Sequence, residues 1–266
     1  MDLAIVGILG AFGAIGAMIF LEGSSPMSLL LPAPMILVFG ATIAVGIASG
    51  TVSDTIIAIR SFPRAIKGKL AQPEELIGQI VRIADKARKE GLLALEGEAA
   101  TITDPFLKSA LQNIADGMDA EELRLLLEEQ VATEERQQRA GQKFFAGLGG
   151  YAPTIGIIGT VISLTHVLEH LSDPATLGPS IAGAFVATLW GVLSANVIWL
   201  PIGARLGRLA DQNIERMNLL VEGVLAVQEG SQPRVVGERL RAMIALPGGK
   251  PGKAKEEKQK PIKEAA

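Results

Sequence analysis

Hydrophobic and polar positions along the chain fall into alternating blocks. The two apolar blocks, residues 1–59 and 144–204, contain no Lys or Arg. Within them, four apolar runs approach or exceed the roughly 20 residues that a helix needs to cross a bilayer. These runs are Leu3–Leu21, Pro34–Thr51, Ala146–Leu171 and Ile181–Leu200. The pattern predicts an all-α polytopic membrane protein with four transmembrane helices in two hairpins, whose short connections are Glu22–Pro32 and Ser172–Ser180.

The polar blocks follow helical spacing. Pro73 followed by two Glu residues is a typical helix start, and apolar residues then recur at helical spacing up to Gly91, which we expect to end or bend the helix. Further helices are predicted from Asp119 to Phe144 and over Leu206–Glu229. The chain therefore has a predicted helical domain between the second and third spans and another helix after the fourth.

Charge gives the predicted direction of the chain across the membrane. The 266 residues include 25 Lys and Arg, of which 13 lie in residues 60–143 and 12 in residues 205–266. Basic residues next to membrane spans remain on the cytoplasmic side. Both polar blocks and both termini are therefore predicted to be cytoplasmic, with the two hairpin connections outside.

These observations predict five segments. They are a transmembrane hairpin at 1–51, a cytoplasmic helical domain at 52–145, a second transmembrane hairpin at 146–202, a cytoplasmic helix at 203–246 and a disordered tail at 247–266. The tail is rich in Lys, Gly, Pro and Glu and has too little apolar content to fold.

Composition excludes several classes of function. The first polar block carries 13 basic and 15 acidic residues, a balance that argues against nucleic acid as a partner. The chain has no Cys and only two His, which leaves few groups for catalysis or metal binding. We predict that the protein is not an enzyme and has no catalytic residue, cofactor or metal site.

Small residues recur in two of the predicted spans. Gly7, Gly10, Gly13 and Gly16 repeat every three residues in the first span, and Ala187, Gly191 and Ala195 repeat every four in the last. Small residues let helix backbones approach closely within a bilayer. The repeats fit packing within one four-helix subunit and packing between subunits equally well.

The third and fourth spans contain the candidate functional residues of the membrane. Pro153 removes a backbone donor, which bends a helix or creates a hinge, and Pro201 is expected to bend the end of the fourth span. Thr160 and Thr188 are expected at similar depth in these two spans. A single Thr in a span usually bonds its own helix, but two at matching depth favour a polar lining.

None of the four predicted spans has a carboxylate at its centre. Glu169 and His166 lie near the outer end of the third span. Because a cation path through a membrane normally includes an ionisable group, a path here needs one from another chain. The sequence therefore predicts a partner subunit with a carboxylate in the membrane.

The order of short segments along the chain resembles the MotA/PomA family, the A subunit of the bacterial flagellar stator. The resemblance covers most of residues 1–245. It rests on Pro34–Thr42 (PMILVFGAT), Ala87–Glu96 (ARKEGLLALE), Asp104–Leu107 (DPFL), Ala115–Asp119 (ADGMD), Tyr151–Ser163 (YAPTIGIIGTVIS), Leu177–Ala182 (LGPSIA), Ala187–Gly191 (ATLWG), Ala195–Asn196, Leu200–Pro201 and Glu229–Arg234 (EGSQPR).

The resemblance implies a location, partners and an activity. It implies a multi-pass protein of the bacterial inner membrane, in a ring of five A subunits around two MotB/PomB-type B subunits that each supply a membrane Asp. Flow of Na+ or H+ through this complex drives torque on the rotor protein FliG, and with it motility and chemotaxis.

The resemblance also implies roles for individual residues. Pro153 and Pro201 match the two prolines that couple ion passage to conformational change. Thr188 matches a Thr of the ion path, and Thr160 occupies a position where sodium-type members have Thr, which favours sodium. Arg88 and Glu96 match a rotor-facing charged pair, although by themselves they resemble ordinary solvated surface.

Two alternatives remain open at this stage. One is an ExbB/TolQ-like energiser subunit driven by protons, which has three spans and lacks a leading hairpin like residues 1–51. The other is a scaffold protein without ion flux, which would tolerate substitution of Pro153 and Thr188.

Overall fold

The described part of the chain is helical and contains no strand. The structure is a computed structural model that describes residues 3–23, 25–68, 73–172 and 174–244. The predicted tail at 247–266 lies outside these residues. The helices are α1 (Leu3–Leu21), α2 (Pro32–Met35, a wider π-helical turn at Ile36–Ala41, and Thr42–Ala48), α3 (Val52–Lys67), α4 (Pro73–Glu90), α5 (Leu95–Thr101), α6 (Pro105–Ala115), α7 (Ala120–Glu169), α8 (Pro174–Leu193, a π-helical turn at Ser194–Trp199, and Leu200–Gln228) and α9 (Pro233–Met243).

The prediction of an all-helical chain is confirmed, but the helices are longer than the sequence suggested. The helix predicted to end at Phe144 and the third span form one helix, α7, of 50 residues. The connection predicted at Ser172–Ser180 is shorter, because α8 already begins at Pro174. A Pro in the first turn of a helix loses no hydrogen bond, which explains this early start.

Among the described residues, two helices are long and apolar enough to cross a membrane by length and composition, namely α7 and the stretch Leu177–Gln228 of α8. The other apolar helical stretches, Val6–Leu21 and Pro32–Ala48, are shorter than the roughly 20 residues of a typical spanning helix. The third and fourth predicted spans therefore have matching helices of sufficient length. The count of four spans stays a prediction.

The chain divides into two compact units. The first, which we call the hairpin unit, comprises Met1–Ala71 and Met118–Val221. Part of its hydrophobic core lies where the apolar stretches of the helices meet the charged ones. The helices α3, α7 and α8 each contribute buried side chains to this part of the core. These are Ala58, Ala65, Phe145, Leu148, Ile202 and Leu206. The ring of Phe145 also stacks on Trp199, with ring centroids 6.4 Å apart.

The second unit, which we call the charged unit, comprises Gln72–Gly117 and Glu222–Ala266. Apolar side chains at helical spacing face inward from α4, α6 and α9, and Ile80, Leu107, Leu111 and Leu240 are at most 1% exposed. Burial of such side chains stabilises each by about 1.5–3 kcal/mol. The periodicity predicted for this block therefore matches a hydrophobic core.

Candidate functional site

Helices α7 and α8 approach each other closely at two glycines. A Cβ atom added to Gly156 would lie 2.8 Å from the carbonyl oxygen of Ala187 and 3.1 Å from the Cα of Gly191. A Cβ added to Gly191 would lie 2.8 Å from the carbonyl oxygen of Ala152. Real side chains do not fit in these spaces, because the neighbouring atoms are backbone. We call this contact the glycine crossing; it fixes which faces of the two helices meet.

Thr160 and Thr188 meet one turn from the glycine crossing. The two hydroxyl groups are hydrogen bonded to each other, and both side chains are partly buried. The Thr160 hydroxyl also lies 3.1 Å from the carbonyl oxygens of Gly156 and Ala184. Two hydroxyls and two carbonyls from both helices thus form one oxygen cluster. Such neutral oxygens can coordinate a hard cation or order water.

Pro153 lies within α7 on the same side as this cluster. It is seven residues, or two helical turns, before Thr160, so the two residues share a face of the helix. The helix continues through Pro153 up to Glu169 without interruption. The missing N–H of Pro153 nevertheless removes one backbone hydrogen bond from the helix next to the crossing. A hinge at this position stays a prediction.

Pro201 follows the widened turn of α8. The π-helical turn covers Ser194–Trp199, and the N–H of Leu200 donates to the carbonyl of Ala195. A proline inside a helix clashes with the carbonyl of the preceding turn and leaves it without a donor. The wider turn lies immediately before Pro201 and separates these groups. A bend of α8 at Pro201 stays a prediction.

Arg88 and Glu96 lie on opposite sides of a sharp turn in the charged unit. Helix α4 ends at Glu90, and Gly91 has a φ of 87°, a conformation that strongly favours glycine. Both charged side chains are exposed. Within the described residues neither has an ion-pair partner. Nearby, Lys86 on α4 donates to Glu98 on α5 at 3.0 Å, a contact that joins the two sides of the turn.

Comparisons with known proteins identify relatives of this chain. The MotA/TolQ/ExbB proton channel family matches residues 98–219. Motility protein A of Bacillus subtilis is 35% identical over 247 residues, covering 89% of this chain and 88% of the relative. The chain belongs to the MotA/PomA family.

Two further similarities extend over nearly the whole chain. The chemotaxis protein PomA of Vibrio alginolyticus is 34% identical over 242 residues, covering 91% of this chain and 94% of the relative. In the structure of the flagellar MotAB stator complex from Bacillus subtilis, a chain with 34% identity superposes with a TM-score of 0.84, covering 92% of this chain and 96% of that one. The predicted family resemblance is therefore confirmed.

Two polar residues inside this MotA/PomA fold were missed by the sequence analysis. Thr42 and Ser194 are fully buried. Ser194 donates to the carbonyl of Gly191 at 3.3 Å, whereas the hydroxyl of Thr42 has no hydrogen-bond partner among the described residues. A buried hydroxyl without a partner costs about 1–3 kcal/mol. The available signal for Thr42 was its position inside an otherwise apolar run.

A charged contact joins the polar segments of α7 and α8. Arg139 donates to Glu135 at 2.8 Å on its own helix and to Asp211 of α8 at 3.0 Å. The hydrogen bond with Glu135, together with the charge of Asp211, raises the pKa of Arg139 above its usual value. The two long helices of this family member are thus fixed both at the glycine crossing and beyond it.

No metal ligand is predicted from the sequence, but the structure brings three candidates together. His166, Glu169 and His170 lie at the end of α7, with one potential ligand atom from each within 4.8 Å of the others. The spacing of i, i+3 and i+4 places all three on one helix face. This spacing was the signal available in the sequence.

Proposed function

We propose that this chain is the A subunit of a flagellar motor stator. In this proposal it joins a MotB/PomB-type B subunit and converts ion flow across the bacterial inner membrane into torque on the rotor protein FliG. The observation that carries the proposal is the oxygen cluster of Thr160 and Thr188 at the glycine crossing, in a chain 35% identical to motility protein A. That identity favours a stator over an ExbB/TolQ-like energiser.

The proposed arrangement has four spans with both termini in the cytoplasm. Residues 1–51 and 146–202 form the two transmembrane hairpins, and residues 52–145 and 203–246 are cytoplasmic. The distribution of Lys and Arg supports this orientation, since none lies in residues 1–59 or 144–204. The contact of Arg139 with Asp211 supports a charged region directly beyond the second hairpin.

The proposed ion path lies between this chain and the B subunit. Thr160 and Thr188 supply hydroxyl oxygens, and the membrane Asp of the B subunit supplies the charge. We propose that Pro153 and Pro201 couple ion passage to a change in α7 and α8. Support comes from their positions, since Pro153 shares the face of Thr160 and Pro201 follows the π-helical turn.

The proposed assembly is a ring of five A subunits around two B subunits, in which Arg88 and Glu96 contact FliG. The exposure of both charged side chains supports this role, because a group without an ion-pair partner in its own described surroundings remains available to another protein. Surface charges on a binding partner mainly set its orientation and rate of association.

We propose sodium as the coupling ion. Sodium is a hard cation that binds oxygen ligands, and the cluster of two hydroxyls and two carbonyls offers only neutral oxygens. The membrane Asp of the B subunit could serve either ion, so the preference for sodium rests on the additional oxygens around Thr160 and Thr188. The description of the matching family as proton channels favours H+ as the second candidate.

A complementation experiment tests this proposal. A strain without stators is given this chain together with the B subunit encoded beside it, and swimming speed is measured with and without sodium at constant ionic strength. We expect motility to return and to follow the sodium gradient. Swimming that is indifferent to sodium but stopped by a protonophore would assign the proton instead, and no motility with both proteins in the membrane would contradict the stator function.

A matched pair of variants links the result to the oxygen cluster. Thr160→Val removes the hydroxyl and keeps the shape of the side chain, whereas Thr160→Ser keeps the hydroxyl. We expect the Val variant to lose most of its sodium-dependent speed and the Ser variant to retain it. Equal speeds in the two variants would show that the hydroxyl has no part in ion passage.

A further inference from the structure

We propose that His166, Glu169 and His170 form a binding site for a divalent transition-metal ion such as Zn2+ at the end of α7. The potential ligand atoms already lie within 4.8 Å of one another. A tetrahedral zinc ion with bonds of about 2 Å needs its ligand atoms about 3.4 Å apart. All three side chains are exposed, so rotation about their side-chain bonds closes this difference without moving the backbone.

The two imidazoles lie next to each other. Their ring centroids are 4.2 Å apart, so both rings lie on the same side of the helix end. Nδ1 of His170 lies 3.0 Å from the backbone carbonyl oxygen of His166. When Nδ1 carries the proton and donates to this carbonyl, Nε2 is left as the metal ligand. Metal-binding histidines are commonly oriented by such a hydrogen bond.

The charges around the cluster also favour a cation. Glu169 has no ion-pair partner in the part of the chain that the structure describes. The cluster lies at the C-terminal end of a 50-residue helix, where the unpaired carbonyl groups carry partial negative charge. One carboxylate, two imidazoles and this helix end together suit a divalent ion.

The ligand types determine which metals bind. Imidazole nitrogen suits Zn2+, Cu2+ and Ni2+, whereas Ca2+ and Mg2+ prefer a full set of oxygen ligands. Three protein ligands leave one position of a tetrahedral zinc ion to water, which is typical of an open site. The proposal therefore predicts that a large excess of Ca2+ or Mg2+ does not displace Zn2+.

Direct binding of Zn2+ tests the site without reference to motility. The chain is purified with its B subunit by a tag that contains no histidine, and Zn2+ binding is measured by calorimetry in the wild type, in His166→Gln/His170→Gln and in Glu169→Gln. We expect affinity to fall by more than about tenfold in each variant, because losing even an outer hydrogen-bond partner of a ligand costs that much. Glu22→Gln is the matched control, since it removes one exposed acid outside the cluster.

A spectroscopic measurement identifies the ligands. With Cu2+ in place of Zn2+, electron paramagnetic resonance should show coupling to imidazole nitrogen in the wild type and in the Glu22 control. The double histidine variant should lose this coupling. Zn2+ affinity and Cu2+ spectra that are unchanged in the double histidine variant would overturn the proposal. Thermal melting of each variant complex confirms that the chain remains folded.

Discussion

The glycine crossing and the exposed turn around Gly91 contain site residues of two physically different kinds. At the crossing, Thr160 and Thr188 come from different helices and contact each other through an arrangement that leaves no room for a Cβ on Gly156. At the turn, Arg88 and Glu96 are exposed and have no ion-pair partner among the described residues. Both partners of the contact at the crossing belong to this chain, whereas the charges at the turn are exposed and available to another protein.

This difference shows what kind of change each region tolerates. A function that depends on contact between two helices is lost when a methyl group separates them, whatever its chemistry. A function that depends on exposed charge is lost when the sign of the charge changes, while the fold remains intact. Variants that change only the volume of a side chain, or only its charge, therefore distinguish the function of the crossing from the function of the turn.

The largest effect is expected from a single methyl group at the crossing. Gly156→Ala places a Cβ against the carbonyl oxygen of Ala187, so the helices must separate, at a cost of roughly 1–3 kcal/mol. We expect a clear decrease in the melting temperature of the purified stator complex and a severalfold loss of swimming speed. The matched control is Gly10→Ala in α1, where an added Cβ meets no atom of the described residues outside its own helix backbone within 4 Å.

The results for these two variants can also show that the crossing is not packed in the way that we describe. Gly156→Ala with wild-type melting temperature and speed would show that the crossing is not closed in the working complex. A loss in Gly10→Ala as large as that in Gly156→Ala would show that α1 is packed as tightly as α7, through another subunit.

A smaller effect is expected from removing a hydroxyl without changing volume. Thr188→Val keeps the helix contact but removes one oxygen from the cluster with Thr160. We expect ion flux through the complex to fall severalfold while the melting temperature changes little. Thr165→Val is the control, because the hydroxyl of this exposed Thr donates to the carbonyl of Val161 on its own helix. Equal flux in both variants would remove the hydroxyl cluster from the ion path.

A charge reversal at the turn should affect motility and leave ion flux unchanged. Arg88→Glu reverses an exposed charge that has no partner among the described residues, so the fold and the membrane helices should be unaffected. We expect swimming to decrease severalfold with normal flux and a normal melting temperature. Arg234→Glu, at another exposed position of the charged unit, removes an exposed ion pair with Glu238 that contributes little to stability, and it should change neither. If flux and swimming fall together in Arg88→Glu, the turn acts on the ion path and not on the rotor.

The smallest effect is expected from a local contact that neither region uses. At the start of α3, the backbone N–H of Thr51 donates to Asp54 at 3.0 Å and its hydroxyl does so at 2.7 Å. Both hydrogen bonds lower the pKa of Asp54 below its usual value of 3.8, and the one from the backbone N–H has the larger effect. The stabilisation is therefore present above pH 3.8 and is lost as the pH falls through the lowered pKa.

Melting temperatures at several pH values check this expectation. Asp54→Asn should melt slightly below the wild type at pH 7, and the difference should shrink as the pH falls below 3.8. A difference that stays constant down to pH 3 would show that the ionised carboxylate is not responsible. Swimming at pH 7 should be unchanged.

The sequence was sufficient to predict α4 because helix formation depends on local features. Its position follows from apolar spacing, and Gly91 ends the helix where a residue with positive φ is needed. A separate helix at the position of α9 was not predicted. The family followed from short sequence segments, which are also local features. The sequence did not predict that α7 continues across residues 144–146, because the hydropathy changes there while the helical backbone continues.

The candidate site was predicted only in part. Thr160 and Thr188 were expected at similar depth, and their contact required knowledge of the helix faces that meet. The repeats of small residues show the limit clearly. Gly191 packs against α7, but within the described part of the chain there is open space around the Cβ positions of Gly7, Gly10, Gly13 and Gly16. Spacing alone did not distinguish these two cases.

By itself, the sequence determined the apolar and charged blocks, the helical character of the chain, its family and the residues worth testing. These are properties of neighbouring residues, so they can be recognised one segment at a time. Only the tertiary structure decided that Gly156 and Gly191 bring two hydroxyls together, that Thr42 is buried, and that Arg139 joins α7 to α8. Each of these contacts depends on residues far apart in the chain, whose approach is fixed by packing across the whole unit.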